Sequence, residues 1–557
     1  MTNLVQLVQS AWQRRAIRRA PTSPRSGQFT ATATLAVVVA LASPAAPATA
    51  TSTARSDQPI VGESSAIISE SAASDRDAAR EAVANRQAAG APGRQVAVAR
   101  QDAPAVEQDD SPSAGGGNAG SASSRPNLVV LLTDDQRWNT LGVMGNAIIQ
   151  TPQIDRLARE GVVFDNCFVT TSICMTSRAS IFLGQYAARH GIWDFRTSLA
   201  PEQLERSYPG RLKRAGYYVG FIGKWGVGNP PKDFFDYDRG WPGQNVYFPK
   251  SEGGQTHLTT LMDRQAMEFF DTLPTDRPFC LSISFKAPHC QDGHPKQFLP
   301  EPDLEPLYRD VTIPPPPLAD PAFFAALPEW LRKSENRARW EIRFSTPELY
   351  QEMVKNYYRL ITGVDRVVGH VREKLAEKGL ADNTVILFTS DNGFYLGDRG
   401  LAGKWLAHDV SMRVPLLVYD PRLPESCRGR RRDELVLNID VAPTLLALAG
   451  VPIPDEMQGE SLRWLIEGYR MPWRTEFFYE HRFRHSAIPP SEAVRDGRHK
   501  YIRYIESSPL YEELYDLATD PDEAHNLADQ AEHAALLDSM RAKWSDWRRR
   551  AAGPREN

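Results

Sequence analysis

Cys174 and Arg178 stand four residues apart in Thr170–Tyr186, T-T-S-I-C-M-T-S-R-A-S-I-F-L-G-Q-Y. A cysteine one helical turn before an arginine is, alone, a weak signal of chemistry. The pair alone also fits a buried thiol at a helix start beside a surface arginine. The following residues narrow the choice. Ala179–Leu183 are small or apolar, and Gly184 is a helix-stop signal. The stretch predicts a loop entering a short buried helix, with Cys174 near its positive end.

Acidic residues with their own chemistry flank this stretch on either side. Pro126–Thr133, P-N-L-V-V-L-L-T, has the length and apolar character of a buried central strand, and Asp134-Asp135 follow at once. Open α/β sheets bind ligands beyond the carboxyl ends of such strands. Adjacent carboxylates repel, so a cation is a natural reason to hold them there. A turn with solvated acids is the plainer alternative. Thr384–Ser390, T-V-I-L-F-T-S, repeats the pattern and runs into Asp391-Asn392-Gly393. Four oxygen-donor side chains could therefore converge, which suits a hard cation, calcium over zinc.

Lys224 lies in Gly223-Lys224-Trp225-Gly226, after the apolar run Tyr217–Ile222, and Lys404 lies in Gly403-Lys404-Trp405. A lysine flanked by glycine can approach a bound anion closely. An exposed lysine beside a packed tryptophan is the other reading. Arg277–His289, R-P-F-C-L-S-I-S-F-K-A-P-H, predicts a strand over Phe279–Phe285 with His289 just past it. That histidine could protonate a leaving alcohol. A lone histidine is more often structural. His294 is a weaker candidate.

Taken in order, these segments resemble the type I, formylglycine-dependent sulfatases of the alkaline phosphatase superfamily. The family signature is C-x-P-S-R, and Thr176 stands where proline or alanine is usual. The resemblance implies that a formylglycine-generating enzyme oxidises Cys174 to an aldehyde whose hydrate is the nucleophile. It implies Ca2+ held by Asp134, Asp135, Asp391, Asn392 and the formylglycine made from Cys174. Arg178, Lys224 and Lys404 would gather the sulfate oxygens. His289 and Lys404 would assist the leaving alcohol. The family's G-K-W-H-x-G segment has a histidine where this chain has Gly226. Loss of a general base is worth roughly 3–5 kcal/mol of barrier. Either another base substitutes, with His190, His257 and His408 as candidates, or turnover is slower.

The implied function is hydrolysis of sulfate esters, with a sulfated polysaccharide or oligosaccharide as the expected partner. A phosphodiesterase or phosphonate hydrolase of the same superfamily is one alternative. A non-catalytic relative that binds sulfated glycans is another.

The elements that must position these groups follow from the same run of sequence. An alkaline-phosphatase-like α/β fold is expected, with a mostly parallel sheet between helices and a smaller carboxyl-terminal α+β subdomain carrying an antiparallel sheet. Thr151-Pro152 opens a helix stopped by Gly161, and Val162–Phe164 reads as a strand. Pro300–Pro347 reads as an insertion containing a helix around Glu329–Phe344. Leu349–Lys378 predicts a long amphipathic helix with Tyr357, Leu360, Ile361, Val364, Val367, Val368 and Val371 inward. Ala493–Tyr504 predicts a hairpin with an Asp-Gly turn. The expected divisions are 1–50, 51–124, 125–455 and 456–557.

Residues 1–50 read as an export signal. Arg14, Arg15, Arg18, Arg19 and Arg25 precede the apolar run Thr30–Ala42, and Ala48-Thr49-Ala50 offers a cleavage site near Ala50. The product would be periplasmic or secreted, and the apolar run is too short to span a bilayer comfortably. Residues 51–124 have linker composition, rich in Ala, Ser and Gly. A formal net charge of −4 over 557 residues gives no case for nucleic-acid binding or a polybasic membrane face. The five cysteines include no C-x-x-C pair. Cys280 and Cys290 could close a disulfide in an oxidising compartment.

Overall fold

The computed structural model describes residues 125–251 and 254–553. The expected export segment and linker lie outside these residues.

The main sheet has eight strands in the order Arg430–Leu437, Val162–Phe168, Arg413–Tyr419, Thr384–Ser390, Asn127–Asp134, Phe279–Pro288, Tyr218–Lys224 and Tyr237–Trp241. Arg413–Tyr419 runs antiparallel to both its neighbours, and every other pairing is parallel. All eight residues of Asn127–Asp134 are buried. Leu128, Val130 and Leu132 join one hydrophobic cluster, and Val129 and Leu131 join the cluster on the opposite face. A strand covered on both faces needs apolar side chains at every position, which is why it reads as a continuous run.

One face is covered by Pro152–Glu160, Leu258–Asp271 and the long helix Pro347–Glu377. The long helix begins at Thr346, whose hydroxyl accepts the Leu349 N–H at 3.2 Å, with Pro347 in its first turn. Its inward positions are those expected from the sequence. Each fully buried side chain of this kind contributes roughly 1.5–3 kcal/mol. The other face carries Cys174–Leu183, Tyr208–Arg214 and Val441–Leu448. The four-stranded antiparallel sheet Glu476–His481, Ser491–Asp496, His499–Tyr504 and Tyr511–Asp516 shares this second core, where Phe477 stacks on Phe168 at 5.1 Å.

Four neighbouring strands of the main sheet decide where chemistry can occur. Thr384–Ser390, Asn127–Asp134, Phe279–Pro288 and Tyr218–Lys224 are parallel and adjacent. Their carboxyl ends therefore meet at one edge, carrying Asp391-Asn392, Asp134-Asp135, His289 and Lys224 in that order.

Two expectations are corrected. All five cysteines are free thiols. Cys280 is the second residue of the strand Phe279–Pro288 and Cys290 lies two residues past its end, so at ~3.3 Å per residue they are held roughly 25 Å apart and cannot pair. The helix expected around Glu329–Phe344 is two helices, Glu329–Arg332 and Glu335–Arg343, broken at Lys333-Ser334.

His190 couples stability to pH. Its Nδ1 accepts the Ile192 N–H at 3.1 Å, so the ring proton sits on Nε2, 3.1 Å from Ser180 Oγ on the cysteine helix. Both nitrogens are used in the neutral form, and burial pushes the imidazole down to about 3. The unfolded histidine takes a proton near pH 6.5 while the folded one does not, so stability is complete above that pH and falls as pH drops towards 3. In equilibrium unfolding measured between about pH 6 and 4, His190→Gln should flatten the acid-side loss by roughly 1.4 kcal/mol per pH unit.

Candidate active site and cation site

The cysteine helix Cys174–Leu183 is buried along its whole length, and Gly184 closes it in a left-handed conformation. It enters the main core from one side and delivers Arg178 to the strand-edge carboxylates. Arg178 Nε donates to Asp391 Oδ2 at 2.8 Å, and its Nη2 lies 3.6 Å from Asp134 Oδ2. Its Nη1 donates to the Lys224 carbonyl at 2.9 Å and to Ser284 Oγ. Lys224 Nζ donates to Asp134 Oδ2 at 2.5 Å. Lys404 pairs with Asp135 Oδ1, and its Nζ lies 4.0 Å from Asp134 Oδ1. Asn392 Nδ2 donates to Asp135 Oδ1 at 2.6 Å. Three carboxylates thus face three cations, all at 5% exposure or less.

The backbone beneath this cluster is held against its preference. Asp135 has φ +66°, an uncommon conformation for a side-chain-bearing residue. The Tyr357 hydroxyl donates to the Asp135 carbonyl at 2.6 Å and accepts the Arg137 N–H at 3.0 Å. The long helix thereby fixes the turn that aims both carboxylates.

The charges respond to one another. Burial alone would raise the Asp134 carboxyl, but Lys224, His289, Arg178 and Lys404 hold it well below the ordinary range. Burial, with the charge of Asp134 next, pushes Asp391 up against the pull of Arg178. Burial opposes the charge on Lys404, yet Asp135, Asp134 and Asp391 hold its ammonium above the usual range. His289 is pushed down to about 4 by burial, against the pull of Asp135 and Asp134. Its Nδ1 lies 2.6 Å from the Cys290 carbonyl, so the proton sits on Nδ1 and the neutral Nε2 is an acceptor, 3.5 Å from Asp135 Oδ2.

The donor set suits a cation. Ligand atoms of Asp134, Cys174 and Asp391 lie within 4.8 Å of one another, as do those of Asp134, Asp135 and His289. Asp134 Oδ1 and Asn392 Oδ1 are buried oxygens without a hydrogen-bond partner. A buried, unpaired carboxylate oxygen is costly unless something positive meets it. Oxygen donors in this number suit a hard divalent ion.

Cys174, Arg178, Lys224, His289, Lys404, Asp134, Asp135, Asp391 and Asn392 lie in this cluster or in the cleft above it, whereas His294 does not, its Nδ1 accepting the Lys296 N–H at 3.1 Å. The open cleft, of roughly 520 Å³, is lined by Cys174, Lys224, Gly226, His289 and Lys404 among others. The candidates for a substitute base are not there. His190 bonds Ser180, His257 Nε2 lies 2.9 Å from the Leu299 carbonyl, and His408 is held between Tyr395 and Glu513. Sequence reasoning missed Ser284, whose hydroxyl joins Arg178 to the Lys224 carbonyl. It also missed Gln244, which donates to Asp134 Oδ2 at 3.1 Å. The polar alternation of Ser282 and Ser284 in an apolar strand was a usable signal for the first. Gln244 lies in a loop with no pattern.

Gly226 is explained by packing. Its φ is +77°, and a Cβ there would stand 2.6 Å from Arg178 Cδ. On this backbone, a side chain at position 226 and the path of Arg178 exclude each other. Gly226→Ala should therefore destabilise the protein by about 1–3 kcal/mol, read as a lowered Tm. An unchanged melting curve would show that the arginine can move aside freely.

Comparison with known proteins agrees with this geometry. The sequence model of the sulfatase family matches residues 126–451, and that of the N-sulphoglucosamine sulphohydrolase C-terminal region matches residues 397–550. An N-acetylglucosamine-6-O-sulfatase of Bacteroides thetaiotaomicron is 26% identical over 74% of this chain and 84% of its own. An arylsulfatase of Clostridium perfringens is 27% identical over 75% of this chain and 93% of its own. A solved structure in complex with its substrate D-glucosamine-2-N,6-O-disulfate superposes with TM-score 0.65 at 23% identity, covering 77% of this chain and 98% of that one. The phosphonate monoester hydrolase of Agrobacterium radiobacter superposes with TM-score 0.61 at 23% identity, covering 77% and 96%. The chain belongs to the sulfatase family: it is a sulfuric ester hydrolase on an alkaline-phosphatase-like α/β fold.

Proposed function

We propose that this enzyme hydrolyses sulfate esters of carbohydrates, using formylglycine made from Cys174 and a calcium ion. The observation that carries the reading is the convergence of Cys174, Arg178, Lys224 and Lys404 on three buried carboxylates, with Asp134 Oδ1 and Asn392 Oδ1 left without a hydrogen-bond partner. Asp134, Asp135, Asp391, Asn392 and residue 174 would hold the ion, which would add positive charge where the sulfate oxygens bind. Conversion of Cys174 by a formylglycine-generating enzyme would supply, as the hydrate of its aldehyde, an oxygen nucleophile for sulfur.

The chain's own groups account for the rest. Arg178 is fixed by Asp391 and the Lys224 carbonyl, so its guanidinium is oriented before substrate arrives. Lys224 pairs with Asp134 and Lys404 with Asp135, and both line the cleft, placed to take up sulfate oxygens. Fixed charges in a water-poor site are the largest expected contribution to the rate. Lys404 keeps its proton and shares Asp135 with His289, so both stand on one side of the cluster, where the leaving alcohol would depart. The neutral His289 must first take a proton on Nε2 before it can donate one. At Gly226 no side chain is available for that exchange.

Carbohydrate is the favoured alcohol because the relative from Bacteroides thetaiotaomicron is named for a sulfated aminosugar. A phosphorus ester is the second reading. A relative from Trinickia caryophylli, 27% identical, is named a multifunctional alkaline phosphatase superfamily protein. Export before action is part of the proposal and rests on the basic and apolar start of the sequence. No described helix is long and apolar enough to cross a membrane.

The experiment is steady-state turnover of an aryl sulfate and an aryl phosphate diester by protein co-produced with a formylglycine-generating enzyme. The sulfate should be preferred. Cys174→Ala should abolish turnover, and Lys224→Ala should lower kcat/KM by roughly 10²–10³-fold. Chelation should remove activity and calcium should restore it. Preference for the phosphate diester would move the assignment to the phosphorus ester. Full activity of Cys174→Ala would remove the nucleophile.

A further inference from the structure

One wall of the cleft lies beyond the groups assigned to the sulfate. It is built from two segments that the strand-edge site does not require, the helix Glu335–Arg343 of the insertion and the loop 482–490 of the carboxyl-terminal subdomain. They are fastened together where the Glu335 N–H donates to the Ala487 carbonyl at 2.8 Å.

Arg339 is the centre of the wall. Its guanidinium lies 5.0 Å from the centroid of the Trp405 ring. Its Nε donates to Glu335 Oε1 at 2.9 Å and its Nη1 to Asp292 Oδ1 at 3.0 Å. Arg343 holds the same Asp292 oxygen at 2.9 Å. Two carboxylates and two guanidinium groups cancel, so the array has no surplus charge for a second anion. It does present donors and acceptors in fixed positions, with the Asp292 side chain half exposed. Beside it, Phe483 packs against the cluster containing Trp405 and Ile488 and meets Phe195 edge-on at 5.5 Å. The wall thus offers an apolar aromatic surface next to neutralised, pre-aimed polar groups. A pyranose has the matching halves, an apolar C–H face and a rim of hydroxyls.

We propose that this wall binds the sugar ring bearing the sulfate ester, with Phe483 and Phe195 on a C–H face and the Asp292–Arg339–Glu335 array on its hydroxyls. The inference rests on the carbohydrate sulfate ester reading and assigns its specificity to Arg339 and its two carboxylates. The cleft volume of roughly 520 Å³ falls within the ~300–1,000 Å³ of small-molecule sites, leaving room for a ring beyond the sulfate.

The test is calorimetric binding to Cys174→Ala protein in calcium buffer, so that the state of the nucleophile does not enter. The probes are N-acetylglucosamine 6-sulfate and galactose 6-sulfate, compared with 4-nitrophenyl sulfate, which lacks hydroxyls. Adding Arg339→Ala should weaken binding of at least one sugar ester about 10–100-fold more than that of the aryl ester. Should that variant not fold, Glu335→Gln carries the same comparison with an expected differential of about 3–10-fold. Equal losses on both classes would overturn the subsite and show that Arg339 serves only to support Trp405. Binding of the aryl ester without either sugar ester would also overturn it while sulfate ester recognition stands. Binding of neither class by folded protein would overturn both.

Discussion

The buried carboxylate of Asp134 is the constraint on which the rest of the site depends. It has no solvent exposure, yet it stays charged because Lys224, Arg178 and Lys404 surround it. Removing any one cation would leave an uncompensated charge in a dry interior, a change worth about 3–5 kcal/mol. Even so, its Oδ1 has no hydrogen-bond partner. The ion pairs alone leave the cluster electrically balanced but not fully satisfied. A divalent ion would complete it, and the site would then carry a surplus of positive charge suited to sulfate. The same group would therefore link packing to the proposed binding of the cation and of sulfate.

The fold supplies this arrangement with few devices. Four adjacent parallel strands bring six polar residues to one edge without any long loop between them and the core. The cysteine helix approaches from the side, where Gly226 leaves room for Arg178. Lys404 comes from a separate loop, which is anchored from below by the carboxyl-terminal sheet. Fully buried Lys500 pairs with Glu523 at 2.5 Å and also with Asp409, and His408 Nε2 meets Glu513 Oε2 at 2.9 Å. The second sheet is thus more than an appendage. It braces the loop that carries one of the three cations and, through Phe483, reaches into the cleft.

Much of this was legible in the sequence because strand-end motifs are local. Asp134-Asp135 and Asp391-Asn392 each follow an apolar run within two residues, and the topology of a parallel sheet does the rest. Lys224 was legible for the same reason. What could not be read depends on distances between segments far apart in sequence. His190, His257 and His408 were equal candidates until their partners were seen. Ser284 and Gln244 touch the site only because particular strands and loops are neighbours. The supposed Cys280–Cys290 pair failed because one continuous strand separates the two residues. The break at Ser334 divides what composition alone presented as a single helix, and that break places Glu335 and Arg339 on the cleft wall.

Whether Cys174 becomes the nucleophile is decided by mass spectrometry of the peptide containing it, taken from protein made in its own organism. An aldehyde at position 174 that a hydrazide reagent traps is expected, despite Thr176 in the signature. An intact thiol in all of the protein would contradict it. The buried charges would then form a sulfate-binding site without the proposed nucleophile.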